Sequence, residues 1–235
     1  VMCPDVESFA PLVSAGFGLA APGAAGPLPT TEGHPAHGLR VRLADRGPGR
    51  TNPLLALAVR LLELAGARVT ASEVLDLAAT DVVRRRFALT DDDLERAAAW
   101  VGGAGVRWGL DRTGRAAYGM DGFEENTWRS GLDRLLLGVT MSDDDHRFVA
   151  DRVPLDDVSS SEIDLAGRLA ELVDRLRACL EALAAARTAG QWTGVLADGV
   201  RSLGRVDAEQ SWQLPELDRE LRAAAGAATD DGGAG

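Results

Sequence analysis

The fold is decided by the stretch Val106-Arg107-Trp108-Gly109-Leu110-Asp111 and, after a polar interval, by Asn126-Thr127-Trp128-Arg129-Ser130-Gly131-Leu132-Asp133-Arg134-Leu135-Leu136-Leu137-Gly138. In the second half, apolar residues recur at the spacing of one helical face, namely Trp128, Leu132, Leu135 and Leu136. Asn126 or Thr127 is suited to cap the start of this helix, and Gly138 is suited to end it.

The first half of the stretch predicts a tight turn. Gly109 permits a backbone conformation that a bulky residue resists, and Asp111 can accept a hydrogen bond from the backbone that follows it. We expect Trp108 and Trp128 to pack together and to fix the neighbouring elements. The stretch therefore predicts four structural anchors: Trp108, Gly109, Asp111 and Trp128.

Length and composition predict one large or two small globular domains. The chain has 235 residues, of which 46% are hydrophobic, and no apolar run approaches the roughly 20 residues of a membrane helix. It begins with Val1 inside what reads as structure, so we expect a piece of a longer protein. Two cysteines, Cys3 and Cys179, favour a reducing cytoplasm over a disulfide framework.

The charge pattern argues against a free-standing nucleic-acid binder. The net charge is -11, whereas phosphate contacts need cations, so contact with DNA would have to come from a local patch. All 25 cationic side chains are arginines and the chain has a single isoleucine. This bias is typical of a GC-rich genome, so the arginine content alone does not indicate DNA binding.

Residue patterns predict a mainly α fold in three parts. Residues 1–50 predict a small α/β corner, with a helix from Val6 to Phe17 and a short strand at Leu39–Leu43. Residues 51–228 predict a helical module, and residues 229–235 a polar, Gly-rich flexible tail.

Helix starts in the module are predicted from capping residues, which are Pro53, Thr70 with Glu73, Asp81, Thr90, and Ser159 with Glu162. The buried face of the first helix is predicted as Leu54, Leu57, Leu61, Leu62 and Leu64. That of the longest helix is predicted as Ile163, Leu169, Leu172, Val173, Leu176, Leu180 and Leu183. Two further helices are expected around residues 192–203 and 208–224, with Pro215 marking a kink or a boundary.

The sequence offers little for catalysis. A chain without lysine cannot carry the phosphate-binding Lys of a nucleotide-binding loop. A zinc site at His34 and His37 is a weak hypothesis against a solvated loop. Asp143-Asp144-Asp145-His146 leaves a metal-dependent nuclease open as an alternative, although nuclease carboxylates normally converge from separate strands. A generic helical interaction module is the other alternative.

Binding by arginine is the remaining functional hypothesis. The candidate DNA or subunit contacts are Arg84, Arg85, Arg86, Arg107, Arg112, Arg115, Arg129 and Arg134. Arginine beside an exposed aromatic ring can hold a nucleic-acid strand by phosphate contact and base stacking. For any single arginine, pairing with acidic side chains on a solvated surface or at a subunit interface is the favoured interpretation.

The opening stretch also resembles a known family, the gamma chain of exodeoxyribonuclease V, which is the RecC subunit of the RecBCD helicase–nuclease. Further segments fit it in order, namely Met2–Glu7 with Ala10–Leu12 and Gly16–Gly18, Ala44–Arg46, Asn52–Leu55 and Thr70–Leu77. The resemblance is collinear from Val1 to about Met141 and weaker beyond, where Trp192 and Trp212 carry it. It covers a middle slice of a much longer subunit.

The resemblance implies a superfamily 1 helicase-like fold that has lost its motor motifs. This chain would span the start of the second motor-like domain and its helical insertion. In the family the subunit hydrolyses no ATP, scaffolds the RecB-like and RecD-like chains, helps to part duplex DNA and guides the unwound 3′ strand to where Chi is read. The resemblance therefore implies no catalytic, cofactor or metal residue in this chain, ATP and Mg used by partner subunits, and no membrane contact. Chi-reading residues are expected largely outside it.

Overall fold

The computed structural model describes residues 52–140, 154–155 and 158–231. These residues belong to one compact unit, Asn52–Gly235. Within the described part, the chain forms helices and no strand, which confirms the mainly α prediction. The α/β corner predicted for residues 1–50, His34 and His37, and the cluster at residues 143–146 lie outside the described residues.

Eight α-helices follow one another in the described residues. They are α1 (Pro53–Ala65), α2 (Ala71–Ala78), α3 (Asp81–Phe87), α4 (Asp91–Gly103), α5 (Trp128–Thr140), α6 (Ile163–Ala185), α7 (Ala189–Leu203) and α8 (Gln213–Asp231). Three short 3-10 helices are interspersed at Thr113–Tyr118, Ser160–Glu162 and Ala208–Gln210. Helix α8 reaches Asp231 and so enters the segment predicted as a tail.

Helices α6 and α7 form the centre of the packing. Helices α1 and α8 pack against α7, while α4 and α5 pack against α6. The 23-residue α6 is long enough to join both groups, and it buries an apolar stripe that includes Leu169, Leu172 and Leu176. Burial of such stripes drives the association, since packing of an apolar face supplies most of a helix's stability in a protein.

Capping residues fix most helix starts where the sequence predicts them. Thr70 with Glu73, Thr90 with Asp93, and Ser159 with Glu162 each form a reciprocal capping box. The prediction that Asp81 caps α3 is wrong by one residue, because Thr80 occupies the cap position and Asp81 is the first helical residue. There the Asp81 carboxylate still faces the positive end of the helix dipole.

Three residues predicted to be buried are exposed. Leu62, Leu136 and Ile163 keep 39%, 40% and 51% of their surface accessible. Leu62 and Leu136 lie at the margins of their apolar stripes, and Ile163 is the first residue of α6. Short-range periodicity marks the centre of a buried face better than its edges.

Gly138 also behaves differently from the prediction. Helix α5 continues through it to Thr140. A side chain at Gly138 would overlap the backbone of Leu155, whose N–H donates to the Arg134 carbonyl at 3.0 Å. Gly138 therefore permits a close crossing of two segments and does not end the helix.

Candidate interaction site

The polar interval in the opening stretch folds into a loop whose ends are joined. The Trp128 and Arg129 N–H groups donate to the carbonyls of Gly109 and Leu110 at 3.0 and 2.9 Å, and the Arg107 N–H donates to Asn126 at 2.9 Å. We call residues 110–126 the 110–126 loop. Compact loops with adjoining ends are frequently functional.

The residues just before the loop are also hydrogen-bonded to the segment before α2. The Ala71 N–H donates to the Arg107 carbonyl at 2.9 Å, and the Gly109 N–H donates to Val69 at 3.0 Å. Thr70 and Trp108 form an isolated antiparallel bridge between the two segments. The loop is consequently held from two sides, by α5 and by the entry to α2.

Arg115 lies at the centre of the loop with 2% of its surface exposed. Its Nη1 donates to the carbonyls of Phe123 and Glu125 at 3.1 and 2.8 Å, and its Nη2 donates to Trp108 at 2.7 Å. Burial lowers the pKa of the guanidinium from its usual value, although the Glu125 carboxylate opposes that effect. Arg115 is thus the structural centre of the loop, and it leaves almost no surface for the DNA or subunit contact predicted for it.

Backbone conformations beside the ends of the 110–126 loop are unusual. Positive φ angles occur at Val69 (53°), Gly105 (73°), Gly109 (79°) and Asn126 (63°). For the β-branched Val69 this is a costly conformation that persists only when its surroundings enforce it. Strain of this kind gathers at functional segments, so it directs attention to this loop.

Gly109 and Asp111 play the roles predicted for them. The Asp111 carboxylate accepts a hydrogen bond from the Gly114 N–H at 2.8 Å. A Cβ at Gly109 would lie 2.9 Å from Arg115 Nε. Gly109 is therefore required both for its backbone conformation and for the approach of Arg115.

Trp108 and Trp128 have separate surroundings. Trp108 is half-buried and meets Tyr118 edge to face with ring centroids 5.3 Å apart. Trp128 is fully buried and lines a small apolar void together with Trp100 and Leu169. Each tryptophan is an anchor, Trp108 for the 110–126 loop and Trp128 for the junction of α4, α5 and α6, but their predicted packing against each other is replaced by these partners.

Arg68 completes the aromatic cluster. Its guanidinium carbon lies 5.5 Å from the Trp108 ring centroid and 5.1 Å from that of Tyr118. The Arg115 guanidinium lies 4.5 Å from the Trp108 centroid. Cations at these distances are attracted by the ring quadrupoles. The aromatic surfaces beside the loop are thus already engaged by two guanidinium groups of the chain itself.

The loop carries three exposed large apolar side chains. Tyr118, Met120 and Phe123 expose 42%, 36% and 58% of their surfaces. Arg107 and Arg112 are exposed nearby in the sequence. The sequence analysis missed Arg68, Tyr118, Met120 and Phe123, although an aromatic pair in a Gly-rich polar interval was a signal that could have identified an exposed loop.

The three consecutive arginines of α3 bind within the helical unit. Arg84 pairs with Asp91 at 2.8 Å, and its Nε donates to Leu89. Arg85 donates to the Gln210 side chain at 3.0 Å and lies 3.5 Å from Asp207. Arg86 donates to the Ser202 carbonyl at 3.1 Å. Arg84 thus connects α3 with the start of α4, and Arg85 and Arg86 connect α3 with the end of α7 and the segment that follows it.

Arg129 and Arg134 lie on α5 outside that group. Arg134 is half-buried and donates to the Ala104 carbonyl at 2.8 Å. Arg129 is exposed. Five of the predicted arginines thus bond to other parts of the fold, namely Arg84, Arg85, Arg86, Arg115 and Arg134, and of these Arg85 and Arg86 are also exposed. Arg107, Arg112 and Arg129 present exposed side chains.

The Arg96–Glu162 pair and Cys179 serve the fold. Arg96 binds Glu162 through Nε–Oε1 at 2.6 Å and Nη2–Oε2 at 3.1 Å, and this hydrogen bonding lowers the pKa of Glu162 to about 2. Cys179 is buried between α6 and α7, and burial raises its pKa to about 11. No cluster of three or more His, Cys, Asp or Glu side chains that could hold a metal ion occurs in the described part.

None of the helices in the described ranges combines the length and the apolar run needed to cross a bilayer.

Comparison with known proteins identifies a family. Residues 51–234 match the family described as the RecBCD enzyme subunit RecC fourth domain. The chain is 49% identical to RecBCD enzyme subunit RecC of Mycolicibacterium smegmatis over 94% of this chain and 20% of that protein. It is 47% identical to the Mycobacterium tuberculosis protein and 29% identical to that of Escherichia coli, over 94% and 95% of this chain and 19% of each relative. The chain spans about a fifth of the length of these relatives.

Proposed function

The chain belongs to the RecC family of RecBCD enzyme subunits, and from this membership we propose that it is a non-catalytic framework segment within such a subunit. The whole subunit acts in double-strand break repair and homologous recombination, where the complex unwinds and degrades DNA and responds to Chi. The match of residues 51–234 to a single RecC domain is the observation that carries this proposal.

The helical unit provides rigid support for neighbouring chains and for the path of DNA. This role is supported by its arginines, since four of the eight candidate contacts join elements of the unit to one another and Arg115 holds the 110–126 loop together. Residues 1–50 belong to a superfamily 1 helicase-like domain, into which the helical unit is inserted. RecB-like and RecD-like chains are the partners, and they use ATP and Mg. The assembly works in the cytoplasm.

The proposal is tested by reconstitution of the complex. The full-length protein that contains this chain is co-expressed with the other subunits, and assembly, ATP hydrolysis and DNA degradation are measured for the subunit alone and for the complex. We expect the subunit to co-purify with its partners and to show neither activity alone. Failure to assemble, or ATP hydrolysis by the subunit alone, would contradict the proposal.

An Asp144→Ala variant separates this proposal from the nuclease alternative. If Asp143–Asp145 and His146 held a catalytic metal, loss of the Asp144 carboxylate would abolish DNA cleavage. We expect cleavage by the reconstituted complex to be unchanged by Asp144→Ala. A large loss of metal-dependent cleavage, with the complex still intact, would favour the nuclease alternative instead.

A further inference from the structure

The first and the last of the eight α-helices in the described residues meet at one buried side chain, that of Asn52. Asn52 has none of its surface exposed, and it is the first residue of the compact unit Asn52–Gly235. We propose that Asn52 is a latch, which makes the docking of α8 depend on the position of the backbone at the start of α1. Such a conformational device acts inside the subunit and goes beyond the proposed function.

The Asn52 amide joins the two helices through both of its polar atoms. Its Oδ1 accepts hydrogen bonds from the Leu54 and Leu55 N–H groups at 3.0 and 3.4 Å and so caps α1. Its Nδ2 donates to the Gln213 carbonyl and to Glu216 Oε2, both at 3.0 Å, at the start of α8. Turning the amide over would set its oxygen against two other oxygens, so only one orientation satisfies all four contacts.

The backbone on either side holds this amide in place. Asn52 has extended dihedral angles, φ -128° and ψ 100°, which suit a residue that precedes proline. Pro53 restricts its own φ at the first position of α1. The Asn52 carbonyl also accepts from the Leu55 and Ala56 N–H groups at 3.0 and 3.2 Å. The Asn52 side chain therefore moves with the start of α1, and its two donated hydrogen bonds pass that movement to α8.

Capping alone does not require an asparagine at this position. Asp, Ser and Thr also cap helices, but a carboxylate has no N–H or O–H to donate and a hydroxyl has only one. An amide can accept from two N–H groups of α1 and donate twice to α8 at the same time. The residue type at position 52 thus fits a second role besides the cap.

Helix α8 has a short apolar contact through which to dock. Among its described residues the buried side chains are Gln213 and Leu217, both near its start, and two further leucines are partly buried. Its ion pair with α7, Arg201 with Asp218, is partly exposed and so contributes little. We therefore expect loss of the two hydrogen bonds from Asn52 to release α8 while the rest of the unit stays folded.

The test is hydrogen–deuterium exchange of the full-length subunit, with Asn52→Asp as the first variant. Aspartate keeps the cap of α1, but it removes both donors and sets a carboxylate against Glu216. We expect the amides of α8 to exchange about tenfold faster than in wild type, because a hydrogen bond to a charged group is lost, and those of α1 to be unchanged. Unchanged exchange in α8, or an equal increase in α1 and α8, would overturn the proposal.

A second substitution should restore the link with its polarity reversed. When Glu216→Gln is added to Asn52→Asp, the new amide can donate to the new carboxylate and the repulsion between the two carboxylates disappears. We expect the exchange of α8 to return most of the way to the wild-type rate. A double variant that exchanges as fast as Asn52→Asp alone would overturn the proposal.

Asn126→Asp is the matched control. The Asn126 Nδ2 also donates to a backbone carbonyl, that of Gly105 at 2.7 Å, but it lies at the start of α5 and makes no contact with α8 through that bond. We expect the exchange of α8 to be unchanged in this variant. Faster exchange of α8 in Asn126→Asp would overturn the proposal by showing that the effect is not specific to Asn52.

Pro53→Gly tests the coupling between the two helices. Glycine frees the backbone at the start of α1 but leaves the Asn52 side chain and its partners in α8 chemically unchanged. We expect the first amides of α1 and those of α8 to exchange faster by a similar factor. Faster exchange in α1 alone would overturn the proposal. All these rates are measured on the subunit by itself, so they do not depend on assembly of the complex, which tests the proposed function.

Discussion

Gly109 and Arg115 depend on each other at the base of the 110–126 loop. Gly109 has a φ of 79°, and a Cβ there would lie 2.9 Å from Arg115 Nε. Gly109→Ala therefore adds a steric contact with a buried cation to the backbone strain of a left-handed residue. We expect a loss of about 2–4 kcal/mol in the free energy of unfolding, measured by urea titration.

Gly119→Ala separates the backbone strain from the steric contact with Arg115. Gly119 has a similar φ of 68°, but a Cβ there meets nothing within 4 Å. This variant carries only the backbone strain, which we expect to cost about 1 kcal/mol. If both substitutions cost the same, the close approach of Arg115 contributes nothing to stability.

Glu162 predicts a pH-dependent contribution to stability. Its bidentate contact with Arg96 lowers its pKa from the ordinary 4.5 to about 2 in the folded protein. The stabilisation is therefore fully present above about pH 4.5 and is lost as the pH falls towards 2. Glu162→Gln should reduce the free energy of unfolding at pH 7 by about 1–2 kcal/mol, and this difference should disappear in that acidic window.

Glu181→Gln is the control for this pair. Glu181 binds Arg177 at 3.0 Å, but its side chain is 59% exposed. Its loss should cost no more than about 0.5 kcal/mol at pH 7. A Glu162→Gln effect that persisted at pH 2 would show that the stabilisation comes from side-chain shape and not from the charge.

At the scale of the element, the packing of α6 against α7 depends on Gly199. A side chain there would overlap Cys179 Sγ and would lie 3.5 Å from Leu61 Cδ1. Gly199→Ala should cost about 1–3 kcal/mol, because overpacking outweighs the better helix propensity of alanine. Calorimetric or urea unfolding measures this loss.

Removal of the Cys179 sulfur should restore part of the stability that Gly199→Ala loses. Cys179→Ala leaves space for the new methyl group, so Cys179→Ala with Gly199→Ala should cost about 1 kcal/mol less than the sum of the single changes. Gly194→Ala in the same helix, where a Cβ meets nothing within 4 Å, should be neutral or stabilising. Strict additivity of the two changes would rule out the close contact.

Local signals predicted the elements well because their causes are local. Capping boxes at Thr70, Thr90 and Ser159 involve residues three apart, so the sequence alone identifies them. The edges of buried faces depend on which helix packs where, and periodicity cannot supply that. Leu62 and Leu136 are exposed for this reason, although each continues an apolar pattern.

The candidate site was harder to predict because its contacts are not local. Arg115 appears in the sequence as one more arginine in an arginine-rich chain. Its role depends on carbonyls that the fold brings around it, from Trp108 to Glu125. In the same way, Arg86 reaches the Ser202 carbonyl on α7, 116 residues away.

At the scale of the whole molecule, the chain carries an excess of acidic charge and places many of its arginines inside its own structure. Arg85 and Arg86 are exposed but bond to Gln210 and Ser202, so the exposed candidates that remain to hold DNA are Arg107, Arg112 and Arg129. Each arginine that neutralises a phosphate adds about 0.7–0.9 to the slope of log affinity against log salt concentration. The framework account predicts that these three add nothing.

The most direct measurement is the salt dependence of DNA binding by the reconstituted complex, with wild-type subunit and with the triple variant Arg107→Gln, Arg112→Gln, Arg129→Gln. We expect the same slope and the same affinity for both complexes. A slope reduced by about two, with weaker binding at low salt, would show that these arginines contact phosphates. That result would contradict the claim that this segment serves the complex as framework.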